Sequence, residues 1–493
     1  VFQWLRSLVG FGRGAPARGG HIAARYDNAL TTPENVRNWW GADWMSAKSA
    51  NNYNVRRQLR IRSRYEVSNN PYLFGVANGN ADDFVGVGGP TLQIKTPDAP
   101  YNRAVEESWN EWCGEIDLCD KLRTLKLAKT IDGEGFLVLK TANLDHPVKL
   151  YPVDVEADQV TTPAPRDLGE LWVDGLVLDP VTGLPVAYDV LKHHPGDYYF
   201  PDFHPLAVER ISARYVVQWF PKFRPGQVRG VPVFTPSLDL FAELRAFRRA
   251  TLGAAEIAAD YAAVAQQDRE TGAYEPDADT GQEYQPFSRV PLVRKMMTVL
   301  PPGMTLNQLK SEHPTTTYEM FSTVCLGEAI RPLSYPLNLA LGTSQKFNFS
   351  SAKLDHINYR NSLTIERNQC NRGPLDRIFR AWHEEAVLCG AIPVGRGLTP
   401  PPRAWHWPGY ESIDPLVDTQ AATQQIAGGI LTLRDFWGRR GEDWRAVLGQ
   451  LAAEKRELER LGLTFGDVVT RSLTKTDSLT ETEEATGEPA HAA

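Results

Sequence analysis

Cysteine is scarce in this 493-residue chain: Cys113, Cys119, Cys325, Cys370 and Cys389 are odd in number and widely scattered. That pattern excludes a disulfide framework and points to a reducing compartment at synthesis. Cys113 and Cys119 stand six apart with no second pair at zinc spacing, so no metal is expected there. No run approaches the roughly twenty apolar residues that cross a bilayer. The opening stretch, Val1 to Gly10, has neither a long apolar core nor a small-residue cleavage site. The chain is therefore expected to be cytoplasmic when made and to avoid membranes. An excess of positive charge is missing too. A net charge of −7 argues against a surface that grips nucleic acid all over, and leaves room for one along which nucleic acid slides.

Catalytic signatures are equally absent. Without a G-x-x-x-x-G-K-[ST] loop, no nucleotide hydrolysis is expected. H-E-x-x-H and G-x-S-x-G are missing as well. Gly10-Phe11-Gly12-Arg13-Gly14 lacks the full glycine spacing and the preceding strand of a dinucleotide loop, and reads as part of a flexible arm. Ser350-Ser351-Ala352-Lys353 fits S-x-x-K, which sets a serine beside a base one helical turn away. Its usual companions S-D-N and K-T-G are absent, so Ser350 reads as a helix N-cap and Lys353 as a surface residue. His193-His194 precede Pro195-Gly196 in a loop, with no third ligand at a suitable spacing. The expectation is a protein with no cofactor, no metal and no enzymatic activity. A Ser/Lys hydrolase or a generic nucleic-acid-binding oligomer is the alternative.

What the chain does contain is the composition of a folded protein, 42% apolar and 23% charged, with length for three to four lobes. Thirty-five prolines and thirteen tryptophans suggest many fixed turns and large interface surfaces. Residues 33–66 read as helical, 80–96 as strands, 102–126 as a helix, and 130–220 as alternating β structure. Then Arg224, Pro225, Gly226, Gln227, Arg229 and Gly230 make a tight basic turn. Thr235 offers an N-cap and Pro236 a first helical position. The helix predicted to follow runs to 266, spans about 45 Å, and carries Leu238, Phe241, Leu244, Phe247, Leu252 and Ile257 among many alanines. Such a rod suits packing beside copies of itself in a ring.

Further helices are predicted over 314–331, 349–371 and 374–389. After Ile413-Asp414-Pro415 comes a last helical region in which Gly428-Gly429 stops one helix, Thr432 and Asp435 cap another, and 442–461 form a charged amphipathic third. Residues 471–493 lack apolar periodicity and read as a disordered tail. Between the long helix and 312, Asp268, Glu270, Glu275, Asp277, Asp279 and Glu283 face only Arg269 in sign, and Arg289, Arg294 and Lys295 then reverse it. In a head-to-tail ring an acidic edge meets a basic one on the next subunit; a solvated acidic loop beside an ordinary strand is the other reading.

Several segments recur in a recognisable order. Arg60-Ile61-Arg62-Ser63-Arg64 with Asn69-Asn70 is similar to a helix of the form LRxRSR…N. Val85-Gly86-Val87-Gly88 is similar to a V-G-x-G turn, and Trp109-Asn110-Glu111-Trp112 with Asp117 to a W-x-x-W…D helix. Asp132-Gly133-Glu134-Gly135-Phe136 resembles a D-G-E-x-F hairpin. The R-P-G-Q-x-R-G turn follows, then Leu300-Pro301-Pro302-Gly303, Phe349-Ser350-Ser351-Ala352 and Ile413-Asp414-Pro415. In that order they resemble the lambda-type family of tailed-phage portal proteins, the head–tail connectors. Two local departures are Phe349 in place of a usual Tyr and Ala352-Lys353 where Ser-Arg or Ala-Arg is common.

The resemblance implies an α+β portal fold: an α/β wing, a helical stem, a small α/β clip and a helical crown, assembled as a ring. It maps an N-terminal arm to 1–26, the wing to 27–235, a descending stem helix to 236–266 and the clip to 267–312. A returning stem helix falls at 313–331, a tunnel loop at 332–349, a wing segment with a long helix at 350–411, the crown at 412–470 and the tail at 471–493. It also implies a twelve-fold homo-oligomer at one capsid vertex, a conduit for double-stranded DNA in packaging and ejection. The implied partners are the terminase large subunit, a head–tail adaptor and the major capsid protein, in the virion and, during assembly, the host cytoplasm. In such a tunnel loop Asn338, Thr343, Gln345 and Lys346 would touch phosphates weakly, because strong neutralisation would brake the DNA.

Overall fold

The computed structural model describes residues 33, 36–162, 171–197, 207–260, 264–267, 304–307, 317–395, 397–410, 415–438, 440, 442 and 444–464. The chain divides into two units, Val1–Ala50 and Asn51–Ala493. In the first, Met45 N donates to Asp43 Oδ1 at 2.8 Å just before helix α1 (Ala47–Ala50). The second mixes helices with antiparallel sheets, an α+β architecture.

Helix α2 (Tyr53–Asn69) starts at Asn52, whose side chain accepts from Val55 N. Asn70 then caps α3 (Pro71–Val85), accepting from Tyr72 N and Leu73 N, with Pro71 in the first turn. The prediction of strands over 80–96 is thus corrected. Leu73, Val76, Ala77, Asn80, Ala81 and Phe84 hold one buried helical face as far as Val85. The glycines that looked like strand punctuation end the helix instead: Gly86, Gly88 and Gly89 all have positive φ. Only β1 (Thr91–Ile94) is extended. The helix expected over 102–126 is two, α4 (Ala99–Ile116) and α5 (Leu118–Ile131). They are separated by Asp117 at φ 49°, whose side chain accepts from Asp120 N.

Strands β2 (Gly135–Thr141), β3 (Leu150–Val155), β4 (Leu171–Val173), β5 (Leu176–Leu178), β6 (Pro185–Leu191), β7 (Val208–Ser212) and β8 (Val216–Trp219) follow, as the alternation predicts. They form two antiparallel sheets, ordered β3-β2-β8 and β4-β5-β6-β7. Phe136, Val138, Leu176, Tyr188 and Val216 form the core they share.

After a 3₁₀ turn at Thr235–Ser237 comes α6 (Leu238–Asp260). Thr235 is no N-cap of α6, because it lies inside this 3₁₀ turn, where its hydroxyl donates back to Pro232 O at 2.7 Å. The helix is 23 residues, about 35 Å, shorter than its pattern suggests, since β9 (Val264–Gln267) already pairs antiparallel with β10 (Met304–Asn307). Helix α7 (Thr317–Ala329) returns against α6. Phe247 stacks on Tyr318 at 5.6 Å, while Leu238, Phe241 and Leu244 share a core with Leu326, Ala329 and Ile330.

Beyond α8 (Leu337–Leu341), α9 (Phe349–Cys370) passes without a break through a wide π turn, Asn371–Leu375, into α10 (Asp376–Leu388). The π turn accommodates Pro374, which has no N–H to give a regular helix. Strand β11 (Arg403–His406) pairs antiparallel with β1. Helices α11 (Pro415–Ala427), α12 (Leu433–Gly438) and α13 (Trp444–Leu461) close the described chain. Gly429 has positive φ just past α11, and Thr432 Oγ accepts from Asp435 N at 3.1 Å, as predicted. Trp109, Trp112 and Trp382 are buried together with Phe379 in the largest core, Trp109 and Trp382 edge to face at 5.1 Å, whereas Trp39, Trp40 and Trp44 are exposed.

Candidate functional site

Three of the sequence motifs, spread over some 170 residues, meet in one buried ionic junction. Arg56, Arg60 and Arg64 recur every fourth residue on α2 and so project from one face. Asp132 and Glu134 lie between α5 and β2, and Asp158 and Asp174 flank the second sheet. Arg229 comes from the turn before α6.

Arg229 Nε donates to both carboxylate oxygens of Glu134 at 2.9 Å, and its Nη2 lies 2.7 Å from Oε1. Its remaining donors reach Val160 O at 2.9 Å and Ala157 O at 3.2 Å. Gly230 N and Gln218 Nε2 each donate to Glu134 Oε2 at 3.1 Å. Arg64 grips Asp132 with two bonds of 2.7 and 2.8 Å, Arg60 holds Asp158 at 2.8 Å, and Arg56 pairs with Asp174. Four guanidinium groups thus face four carboxylates.

Burial alone would raise the Glu134 carboxyl, but the Arg229 charge and hydrogen bonds outweigh it and hold the group below the usual carboxylate range. Asp158 is depressed in the same way, its burial outweighed by Arg60 and Arg64. Burial, reinforced by neighbouring Arg229, lowers Arg56 to about 10.

Backbone geometry enforces the meeting. A Cβ on Gly230 would sit 2.0 Å from Gly133 O, and one on Gly133, at φ 89°, would sit 2.2 Å from Val231 C. The basic turn is therefore divided. Arg224, Pro225 and Gly226 are exposed, whereas Gln227, Arg229 and Gly230 are buried. Gln227 closes the turn by accepting from Phe223 N at 2.8 Å and donating to Arg229 O at 2.9 Å.

His194 gains partners that its sequence neighbours did not reveal: its Nε2 lies 3.5 Å from Glu156 and 3.9 Å from Asp158. Together the three have metal-ligand chemistry. Yet Arg64 pairs with both carboxylates, and His194 Nδ1 accepts from Gly196 N at 3.0 Å, which leaves the ring proton of the neutral form on Nε2. The group therefore extends the arginine network and does not fit a cation.

A second charged link joins α5 to α9. Lys126 Nζ donates to both oxygens of Glu366, at 2.7 and 2.9 Å, and Lys129 joins them. Burial opposes the Glu366 charge, but the two lysines hold its carboxyl down at about 2. Lys126, fully enclosed and beside a second lysine, is lowered by burial to about 8.

The sequence-predicted channel residues lie at the surface between α7 and α9. Asn338 donates to Ser344 Oγ at 3.4 Å and meets His356 Nε2 at 3.2 Å. Thr343 Oγ accepts from Gln345 N at 3.4 Å. Lys346 is paired with Glu319 of α7, a partner the sequence did not signal. The segment is also more ordered than its composition suggests, since α8 occupies its first half. Ser350 is not the N-cap of α9: Asn348 is, accepting from Ser350 N at 3.0 Å. Ser350 and Lys353 make no hydrogen bond to each other among the described residues. Asp268, Glu270, Asp277, Asp279, Glu283, Arg289, Arg294 and Lys295 lie outside the described residues.

Among the described residues the motif side chains of the junction hold shape, each of its buried charges already paired with a neighbour. The family model of the phage portal proteins of the lambda family matches residues 37–367. This chain belongs to that family. The probable portal protein of Halomonas phage phiHAP-1 is 25% identical over 287 residues, 57% of this chain and 54% of that protein. The match thus spans about half of that relative. Among solved structures, a chain from the virion of a native gene transfer agent particle is 14% identical, covering 77% of this chain and 93% of that one, with TM-score 0.41. An HK97 family phage portal protein from Corynebacterium diphtheriae is 12% identical, covering 60% and 85%, with TM-score 0.27.

Proposed function

We propose that this chain is the repeating subunit of a twelve-fold ring at one capsid vertex, through which double-stranded DNA is packaged and later released. The observation that carries the ring is the surface of the α6–α7 pair. Leu252, Met320, Phe321 and Val324 are 64%, 66%, 50% and 56% exposed, large apolar side chains on α6 and α7 that a lone subunit leaves in water. Neighbouring copies cover them in the ring. Helices α6 and α7 form the stem, the β9–β10 strand pair begins the clip that meets the terminase large subunit and then the adaptor, and the segment around α8 faces the DNA. Helices α11 to α13 form the crown, and the wing meets the major capsid protein. The acidic run after Gln267 meets the basic run ending at Lys295 on the next subunit. The chain itself hydrolyses nothing, and a separate motor drives packaging.

Native mass spectrometry and electron microscopy test the ring. The wild-type chain is expected to form rings with a central hole, and a Met320→Glu/Val324→Glu variant to remain folded and monomeric. A wild-type chain that stays monomeric at micromolar concentration at every salt concentration refutes the reading.

A further inference from the structure

Strand β11 has an uncovered edge. Lys95 N donates to Pro402 O at 2.7 Å, which fixes the phase of the β1–β11 ladder. By antiparallel alternation Ala404 and His406 turn their backbone groups toward β1, while Arg403 and Trp405 turn theirs away. Among the described residues no third strand pairs there. A cleft of about 460 Å³ runs along that edge, lined by Asn368, Asn371, Arg372, Asp376, Arg403 and Trp405.

The cleft is rich in donors and positive charge. Arg372 is exposed and makes no ion pair among the described residues. Arg403 Nε is buried without a partner. Asn371 Oδ1 already accepts from Trp407 Nε1 at 2.8 Å, which leaves its amide N–H groups to spare. The single carboxylate, Asp376, is shared by Arg380 and Arg403. A fitting occupant is an extended, acidic segment.

The chain supplies one. Beyond Lys475 its charged residues are Asp477, Glu481, Glu483, Glu484 and Glu488, with no lysine or arginine. Within it, Leu479-Thr480-Glu481-Thr482-Glu483-Glu484 alternates so that, extended, Glu481 and Glu483 share one face and the β-favouring Thr480 and Thr482 the other. The segment is within reach. Helix α12 lies on the β1–β11 sheet, with Arg434 Nη2 donating to Gln93 Oε1 at 3.0 Å. Helix α13 carries the chain about 27 Å onward. The fifteen residue-to-residue steps from Thr464 to Leu479 span up to about 50 Å when extended.

We propose that residues 479–484 of this chain add as a third strand on the free edge of β11, with Glu481 and Glu483 meeting Arg372 and Arg403. Hydrogen–deuterium exchange on the full-length protein tests it, comparing wild type, Glu481→Lys/Glu483→Lys/Glu484→Lys, Arg372→Glu, and the two combined. The Arg403 and Trp405 amides are expected to exchange at least about tenfold faster in either charge reversal and to recover in the combination. Uptake in α4 should stay unchanged throughout and so report an intact fold. The tail reversal alone decides the matter if Arg372→Glu does not fold. Equal exchange in wild type and tail-reversed protein overturns the proposal, whether the edge is then open or covered by another partner. A combination that fails to recover overturns the charge pairing.

Discussion

Replacing Glu134 by glutamine is the sharpest test of the ionic junction, because the substitution keeps shape and removes only charge. Both carboxylate oxygens accept hydrogen bonds: Oε1 from Arg229, and Oε2 from Arg229, Gly230 N and Gln218 Nε2. A glutamine has one acceptor oxygen, so in either orientation its NH₂ points at donors. Arg229 and Arg60, both almost fully buried, are left with excess charge. Removing one partner of such a pair costs about 3–5 kcal/mol.

At about 1.4 kcal/mol per factor of ten, the β2 amides Phe136 to Leu139 should lose roughly two to three and a half orders of magnitude of exchange protection. Glu134 is held below its ordinary value in the folded protein. Its stabilisation is therefore fully present at neutral pH and is lost as pH falls through the folded value, so the variant and wild type should converge in acid. Arg62→Gln, on the exposed face of the same helix, is the control and should change protection by less than about 0.5 kcal/mol. A Glu134→Gln protein with protection within tenfold of wild type at pH 7 refutes the claim that this junction holds the unit together.

Further expectations follow from neighbouring features. Gly230→Ala should cost at least about 2 kcal/mol, read as lost soluble expression and faster proteolysis, because its Cβ would press on the Gly133 carbonyl. Glu366 stabilises the fold while ionised, so urea stability should fall as pH drops from about 4.5 to about 2, and Glu366→Gln should abolish that slope. Lys126, lowered to about 8, should make stability rise between about pH 8 and 10.5, where the unfolded chain alone keeps the proton; Lys126→Met should remove that rise. Ser350→Ala should leave the purified protein with the same esterase background as wild type.

Much of the architecture was legible because it is local. Apolar alternation marked β2 to β8, and glycines and capping residues marked α11 and α12. The order of short motifs pointed to the family. Local pattern also misled where two signals overlapped: the Val85–Gly89 run reads as strand punctuation, yet the preceding helical face at Val76, Ala77, Asn80 and Phe84 controls the backbone. The ionic junction was not legible, because nothing in the spacing of Arg60, Glu134 or Arg229 says which distant charge each will meet. The turn at Arg224–Gly230 looked basic, and nothing in it marked Gln227, Arg229 and Gly230 as interior. Lys346 looked free to touch phosphate, and its partner Glu319 lies a helix away.

The junction also imposes a timetable. Asn51, at the mouth of α2, donates to the Arg229 carbonyl 178 positions later. At roughly 5–20 residues per second of synthesis, the arginines of α2 wait about 10–35 s before the last of their neighbours has been made. The residue that ends this wait is immediately followed by the turn into α6. A nascent subunit thus cannot close this junction until Arg229 has been made, and its largest core waits longer still, for Tyr359, Trp382 and Trp407.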